Sequence, residues 1–200
     1  MWECRFILAE LPARLAHDTL SRTLGQRYSV VGRELDETDD YLLTRTPALN
    51  LKLRHRSNTL KLKSLRGVSA DRLEQWQTDF ERELPAAPDV WSEALRMLDA
   101  KLEPGRVSSA ETVERAVTVL RPLLRQGQVV RVKKVRWLYG DGRRRIEVAF
   151  FALGPARDSA RFATVCVESD DADDVREVLS ALSLAELGAP RNYMEVLHGL

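Results

Sequence analysis

Hydrophobic and polar positions alternate with a period of two along several short stretches of this chain, and follow a helical period along others. Trp2, Cys4, Phe6 and Leu8 share one parity and Glu3, Arg5 and Ile7 the other, which predicts an opening strand with one apolar face. Pro12 starts a predicted helix that carries Leu15, Leu20 and Leu24 and ends at Gly25. A strand is expected over Tyr28–Leu35, and Asp36–Asp39 reads as an acidic turn. Further strands are expected at Asp40–Thr44, Leu49–Arg54 and Thr59–Ser64, separated by Thr46-Pro47 and by Arg56-Ser57-Asn58. In the last two, aliphatics alternate with cations: Leu49, Leu51, Leu53, Leu60 and Leu62 face one way, Lys52, Arg54, Lys61 and Lys63 the other. Surfaces ordinarily mix signs of charge, so a cationic row without acids predicts an anion that the chain does not supply.

From Ser69 the spacing turns helical. Leu73, Trp76 and Phe80 mark one side of a predicted helix closed by Pro85, and Trp91, Leu95 and Leu98 mark a second from Asp89 to about Leu102. Ser108 and Glu111 have the spacing of a capping box ahead of Val113, Val117 and Leu120–Leu124. This helical segment, about 69–126, is expected to separate two groups of strands within a single domain spanning 1–200. Strands resume at Val129–Trp137, Arg145–Ala152 and Phe162–Ser169, with a turn at Tyr139-Gly140-Asp141-Gly142. Val130, Val132, Lys134 and Arg136 share a parity, as do Arg145, Glu147 and Ala149, and Thr164, Cys166, Glu168 and Asp170. Acids at Asp171–Asp174 suit the start of a last long helix with Val175, Val178, Leu179 and Leu182, and Asn192–Leu197 closes the chain.

Composition narrows the field. A chain of 200 residues, 44% hydrophobic and 30% charged, is ordinary for a globular protein. A net charge of +1 argues against coating duplex nucleic acid, which wants a strongly basic domain. Cys4 and Cys166 are too few and too far apart for a disulfide framework or a spaced zinc site. No apolar run reaches membrane-span length and no signal-like start is present, so a cytoplasmic protein without a membrane partner is expected. Strands charged on one side and aliphatic on the other, accompanied by amphipathic helices, predict an α+β fold. Its centre is expected to be an antiparallel closed β-barrel with a charged lumen, surrounded by helices. Arg54, Lys61, Lys63, Lys134, Arg136 and Arg145 would then point inward with Glu3, Glu168 and Asp170, and Lys52 shares the parity of Arg54. So many like charges in one enclosure are costly unless a polyanion joins them, and a divalent cation links carboxylates to such a polyanion.

The order of these motifs resembles that of the CYTH superfamily, also called triphosphate tunnel metalloenzymes. WECRF stands where that family has its opening E-x-E-x-K strand, LKLR (Leu51–Arg54) at the alternating basic pair, and LKLK (Leu60–Lys63) at the lysine strand. KKVR (Lys133–Arg136) stands at the second basic strand, RIEVAF and VCVESD at the acidic strands, and NYMEVL at the closing tyrosine. The chain departs from the pattern at Met1, which replaces the first motif glutamate, at Arg5, which replaces the lysine, and at Ala149, two residues after Glu147. The resemblance implies hydrolysis or cyclisation of a triphosphate with Mg²⁺ or Mn²⁺ held by carboxylates. On that reading the chain is a metal-dependent hydrolase of inorganic, nucleoside or thiamine triphosphate. Arg5, Lys52, Arg54, Lys61, Lys63, Lys134, Arg136 and Arg145 bind phosphates, and Glu3, Glu168 and Asp170 hold the metal, with Glu147 as a further candidate ligand. The alternative within the same fold is a catalytically weak or inactive module that binds polyphosphate or another phosphorylated ligand. A third class is a single-stranded RNA or protein-interaction domain, which needs aromatics among the cations for stacking; Trp137 and Tyr139 are the candidates.

Overall fold

A computed structural model describes residues 1–9, 22–125, 128–153 and 161–199 of the chain. The alternating stretches form strands β1 (Trp2–Ala9), β2 (Ser29–Leu42), β3 (Leu49–Arg54), β4 (Thr59–Val68), β5 (Glu74–Glu83), β6 (Val129–Gly140), β7 (Arg144–Leu153) and β8 (Arg161–Ser169). They pair antiparallel in the order β1-β5-β4-β3-β2-β6-β7-β8, and β8 pairs back to β1, so the sheet is a closed barrel. The closure is uneven. β1 meets β8 through eight residue pairs from Trp2↔Ser169 to Ala9↔Phe162, but meets β5 only through Trp2↔Gln75 and Glu3↔Glu74. Along that short seam the C-terminal segment takes over part of the pairing, with the Arg191 N–H donating to the Arg5 carbonyl at 2.8 Å.

Outward-facing aliphatics are covered by helices. Leu42, Leu51, Leu53, Leu60, Leu62 and Phe80 pack against α1 (Pro88–Leu98), α2 (Pro104–Ser108) and α3 (Val113–Leu120). The buried stripe of α1 is Trp91, Ala94, Leu95 and Leu98, spaced three and four apart, as one apolar helix face requires. Each fully buried leucine in this layer contributes about 1.5–3 kcal/mol relative to an exposed one. On the opposite flank Cys4, Phe6, Ile146, Val148, Val165 and Val167 lie beneath Val175 and Val178 of α4 (Ala172–Ala181), whose N-cap Asp171 accepts from Asp173 N–H. Inside the barrel Tyr41, Trp76, Val132, Phe151 and Leu153 form an apolar segment against Met194 and Leu197 of α5 (Tyr193–His198). Asn192 and Glu195 make the reciprocal capping box that starts α5 there.

Four local expectations are corrected. Asp36–Asp39 is no turn but the middle of β2, where Glu37 faces Lys134 and Asp39 faces Arg54 across the neighbouring strands. The helix expected from Ser69 is β5 instead. Its register with β4 jumps from Leu62↔Phe80 to Lys63↔Thr78, leaving Asp79 as an extra, bulged residue. The bulge switches parity, so Trp76 points into the barrel while Phe80 packs under the helices, and two inconsistent strand faces imitate a helical stripe. The helical part between the strand groups therefore starts at Pro88. Thr112, not Ser108, caps α3, its hydroxyl accepting from Arg115 N–H, while Ser108 ends α2. Tyr139 and Gly140 belong to β6, and the turn is made by Asp141, whose carboxylate accepts from the N–H groups of Arg143 and Arg144, and by Gly142 at φ +90°. Of the helix expected from Pro12, Pro12, Leu15 and Leu20 lie outside the described residues; 22–27 are helical and Leu24 is buried. Among the described residues no helix is long and apolar enough to cross a membrane.

A candidate anion site in the barrel lumen

Strand parity decides what enters the lumen. All eight predicted phosphate-binding cations, contributed by β1, β3, β4, β6 and β7, line one cavity of about 180 Å³, together with Glu3, Glu74, Glu147 and Glu168. Asn192, Tyr193 and Met194 of the C-terminal segment close part of its wall. The Tyr193 ring packs 5.3 Å from that of Tyr41 and 4.9 Å from that of Phe151, and the Arg5 guanidinium stands 5.5 Å from its centroid. The Tyr193 hydroxyl and the Asn50 side-chain oxygen are buried and have no hydrogen-bond partner among the described residues.

The lumen is less single-signed than the strand rows implied. Three acids not assigned from sequence, Glu37, Asp39 and Glu81, answer most of the cations. Lys52 Nζ lies 2.7 Å from Asp39, and Lys134 Nζ lies 3.3 Å from Glu37 and 3.4 Å from Asp39. Arg54 and Lys61 share Glu81 at 2.8 and 2.6 Å, and Arg136 donates to Glu37 and, at 3.1 Å, to Glu147. Arg5 bridges Glu3 and Glu147, both at 3.1 Å. Burial alone would raise these carboxyls. At Asp39 the Lys52 and Lys134 ammonium groups outweigh it and bring the pKa down to about 2. Arg5, Lys134 and Arg136 likewise hold Glu147 well below the usual carboxylate range. Burial also works against the charge on Lys134, yet Tyr41, Glu147, Asp39 and Glu37 together raise its pKa. Among the described residues Lys63 is the lumenal cation that takes part in no ion pair.

A carboxylate end lies beside the mouth. Glu3 and Glu168 are direct cross-strand partners, and their oxygens and the Cys166 Sγ lie within 4.8 Å of one another. Glu168 Oε2 accepts from Arg145 Nε at 2.6 Å, and Arg145 is half exposed at the rim. Burial first, then the neighbouring Glu3, raises the Glu168 pKa, outweighing the Arg145 guanidinium, as happens when two buried carboxylates lie side by side. Asp170 does not join them. It lies beyond the end of β8, its side chain fully exposed and 3.8 Å from the N-terminal ammonium. Glu147 lines the cavity, but both its oxygens are engaged by arginines. The donor set fits an Mg²⁺ or Mn²⁺ ion that takes one or two carboxylates and completes its shell with substrate oxygens and water, through Glu3 and Glu168.

A further polar cluster is outside the lumen. Asp40 is fully buried and receives Arg131 bidentately, at 2.9 and 2.7 Å, while the His55 ring contacts Asp40 at 2.7 Å and Glu114 of α3 at 2.8 Å. These residues tie the helical layer to β2 and β6.

Glu37 and Asp39 were legible in principle, since they stand two apart on the parity of Tyr41, but their density of charge imitates a turn. Glu81 was hidden by the bulge at Asp79.

No protein-family model matches the sequence, and no curated protein sequence matches it. Solved structures do. A conserved hypothetical protein from Pyrococcus furiosus superposes with a TM-score of 0.52 at 19% identity, covering 96% of this chain and 98% of its own. A Pyrococcus horikoshii protein gives 0.49 at 15% identity over 96% and 98%. A Bacillus halodurans protein provisionally described as an adenylate cyclase gives 0.43 at 13% identity over 91% and 89%. The first of these similarities shows that this chain shares its fold, and the other two carry no further weight.

Proposed function

We propose that the lumen binds a small triphosphate or short polyphosphate and that the protein is a divalent-metal-dependent phosphohydrolase of the triphosphate tunnel kind. The convergence of eight cations from five strands on one cavity carries this reading: they exceed the four acids on its wall and the three, Glu37, Asp39 and Glu81, paired to them from beside it. Lys63, in no ion pair among the described residues, offers the first charge to an entering phosphate, and half-exposed Arg145 meets it at the mouth. Arg5 and Arg145 hold the carboxylates of Glu3 and Glu168 in place. When bound there, a divalent ion polarises phosphoryl oxygens and helps to activate water. The Tyr193 hydroxyl is one buried donor that a phosphate oxygen satisfies. An external single-stranded RNA surface is poorly supported, because the cations point inward.

A second reading, binding without turnover, is favoured by one observation: Glu147, a further carboxylate on the cavity wall, is committed to Arg5 and Arg136. Phosphate release from tripolyphosphate and nucleoside triphosphates, with and without Mg²⁺ or Mn²⁺, separates the two. Metal-dependent release that Glu168→Ala abolishes supports hydrolysis. Thermal stabilisation by tripolyphosphate without release supports the binding module, and neither response refutes both.

A further inference from the structure

Cys166 is a residue that neither reading uses. It stands two positions before Glu168 on the same face of β8, opposite Arg5 on β1, and is fully buried. Its Sγ lies 4.0 Å from Glu168 Oε1, the oxygen opposite the one that Arg145 takes. We propose that Glu3, Cys166 and Glu168 form a mixed sulfur–oxygen site that prefers a thiophilic divalent ion of the Zn²⁺ or Co²⁺ class over Mg²⁺. The inference rests on the metal-dependent reading above and specifies the ion.

Geometry and donor chemistry agree. Ligands around one tetrahedral centre, with metal–sulfur near 2.3 Å and metal–oxygen near 2.1 Å, stand about 3.5 Å apart. The three donors already lie within 4.8 Å of one another on adjacent strands, so side-chain rotation of about 1 Å brings them to a shared ion. Arginines orient both glutamates, Arg5 at Glu3 Oε1 and Arg145 at Glu168 Oε2, the kind of outer contact that fixes metal ligands. Mg²⁺ gains nothing from a sulfur donor and asks for an octahedron of oxygens. Among the described residues no further carboxylate joins that 4.8 Å group: Asp170 is in solvent, Glu147 lies between two arginines, and Glu74, the β5 partner of Glu3, lines the cavity with one oxygen on the Trp76 indole N–H. Thiolate selects the softer ion. On binding, the Cys166 S–H bond breaks, the proton leaves to solvent and a metal–sulfur bond forms; no electrons are transferred.

The test is titration of Co²⁺ into the full chain under thiol-free reducing conditions, reading the thiolate-to-cobalt charge-transfer band in the near ultraviolet. The band should saturate at a single ion per chain, collapse when Zn²⁺ is added, and survive about a 100-fold excess of Mg²⁺. It should vanish in Cys166→Ser and persist in Cys4→Ser, whose thiol lies in the apolar layer outside the barrel. Loss of the direct ligand should weaken Co²⁺ binding at least as much as loss of an outer-shell partner, roughly tenfold. The wild-type spectrum decides the matter even if a variant misfolds. Co²⁺ binding without the band, or a band that persists in Cys166→Ser, overturns the sulfur ligand. If Mg²⁺ then still supports phosphate release, the function stands and this inference alone fails; if neither ion binds, the metal-dependent reading falls with it.

Discussion

Asp39→Asn tests the balance of charge on which the lumen rests, because it should move two observables in opposite directions. Asp39 is almost completely buried, with Lys52 Nζ at 2.7 Å and Lys134 Nζ at 3.4 Å. Its pKa falls from an ordinary 3.8 to about 2, burial being outweighed by the two lysines. A fall of about two units corresponds to about 2–3 kcal/mol. Since the folded-state pKa is the lower one, this contribution is fully present above about pH 4 and is lost as pH falls toward 2. The asparagine keeps the shape but leaves Lys52 without its acid and Lys134 with Glu37 alone. Breaking a buried pair costs about 3–5 kcal/mol, and slight solvent access at the lysines argues for the lower end. At about 2–4 °C per kcal/mol for a chain of this size, Tm should fall by about 6–12 °C. Tripolyphosphate should nevertheless bind about tenfold more tightly, or 1.4 kcal/mol, because it no longer competes with an internal carboxylate. Thermal unfolding with and without ligand, and calorimetric titration at pH 7, read both effects. The acid limb of the wild-type stability profile should also flatten in the variant. A Tm within 2 °C of wild type, or weaker anion binding, would refute the account of a lumen held in check by its own acids.

Other substitutions divide the site further. Lys63→Met breaks no ion pair among the described residues, so Tm should stay within about 2 °C while triphosphate affinity falls about tenfold; titration and melting curves report each separately. Asp170→Asn should leave affinity for the anion within about twofold, since the side chain is fully exposed beyond β8, and a large loss would return Asp170 to the site. Trp91→Ala should cost about 3–5 kcal/mol in urea unfolding through the cavity it leaves beneath α1, with binding intact in whatever remains folded.

Much of the architecture could be read from parity alone. β3 and β4 keep a strict alternation, Leu51 and Leu53 against Lys52 and Arg54, so the inward cations were identifiable before any strand was paired. The same holds for Glu3 and Arg5 on β1 and for Cys166 and Glu168 on β8. Parity fails where the backbone breaks step. The bulge at Asp79 put Trp76 and Phe80 on opposite faces of one strand, and their four-residue spacing then passed for a helix. Asp170 failed for a different reason: its parity was right, but the strand ends at Ser169 and the side chain escapes to solvent. Pairing between distant strands carries the rest, and neither the Arg54–Glu81 nor the Lys134–Glu37 contact has a local signature.

The seam between β1 and β5 gives the hoop a clasp. Two residue pairs and the Trp76 N–H on the Met1 carbonyl hold it, and the chain's own tail fastens it through the Arg191 amide on the Arg5 carbonyl. A stave so lightly joined is where the wall parts first, so amides of β1 facing β5 should trade their protons for deuterium ahead of those facing β8. Because that stave bears Glu3 and Arg5, an occupied lumen clamps the clasp from within, and ligand would slow exchange there more than anywhere else on the hoop.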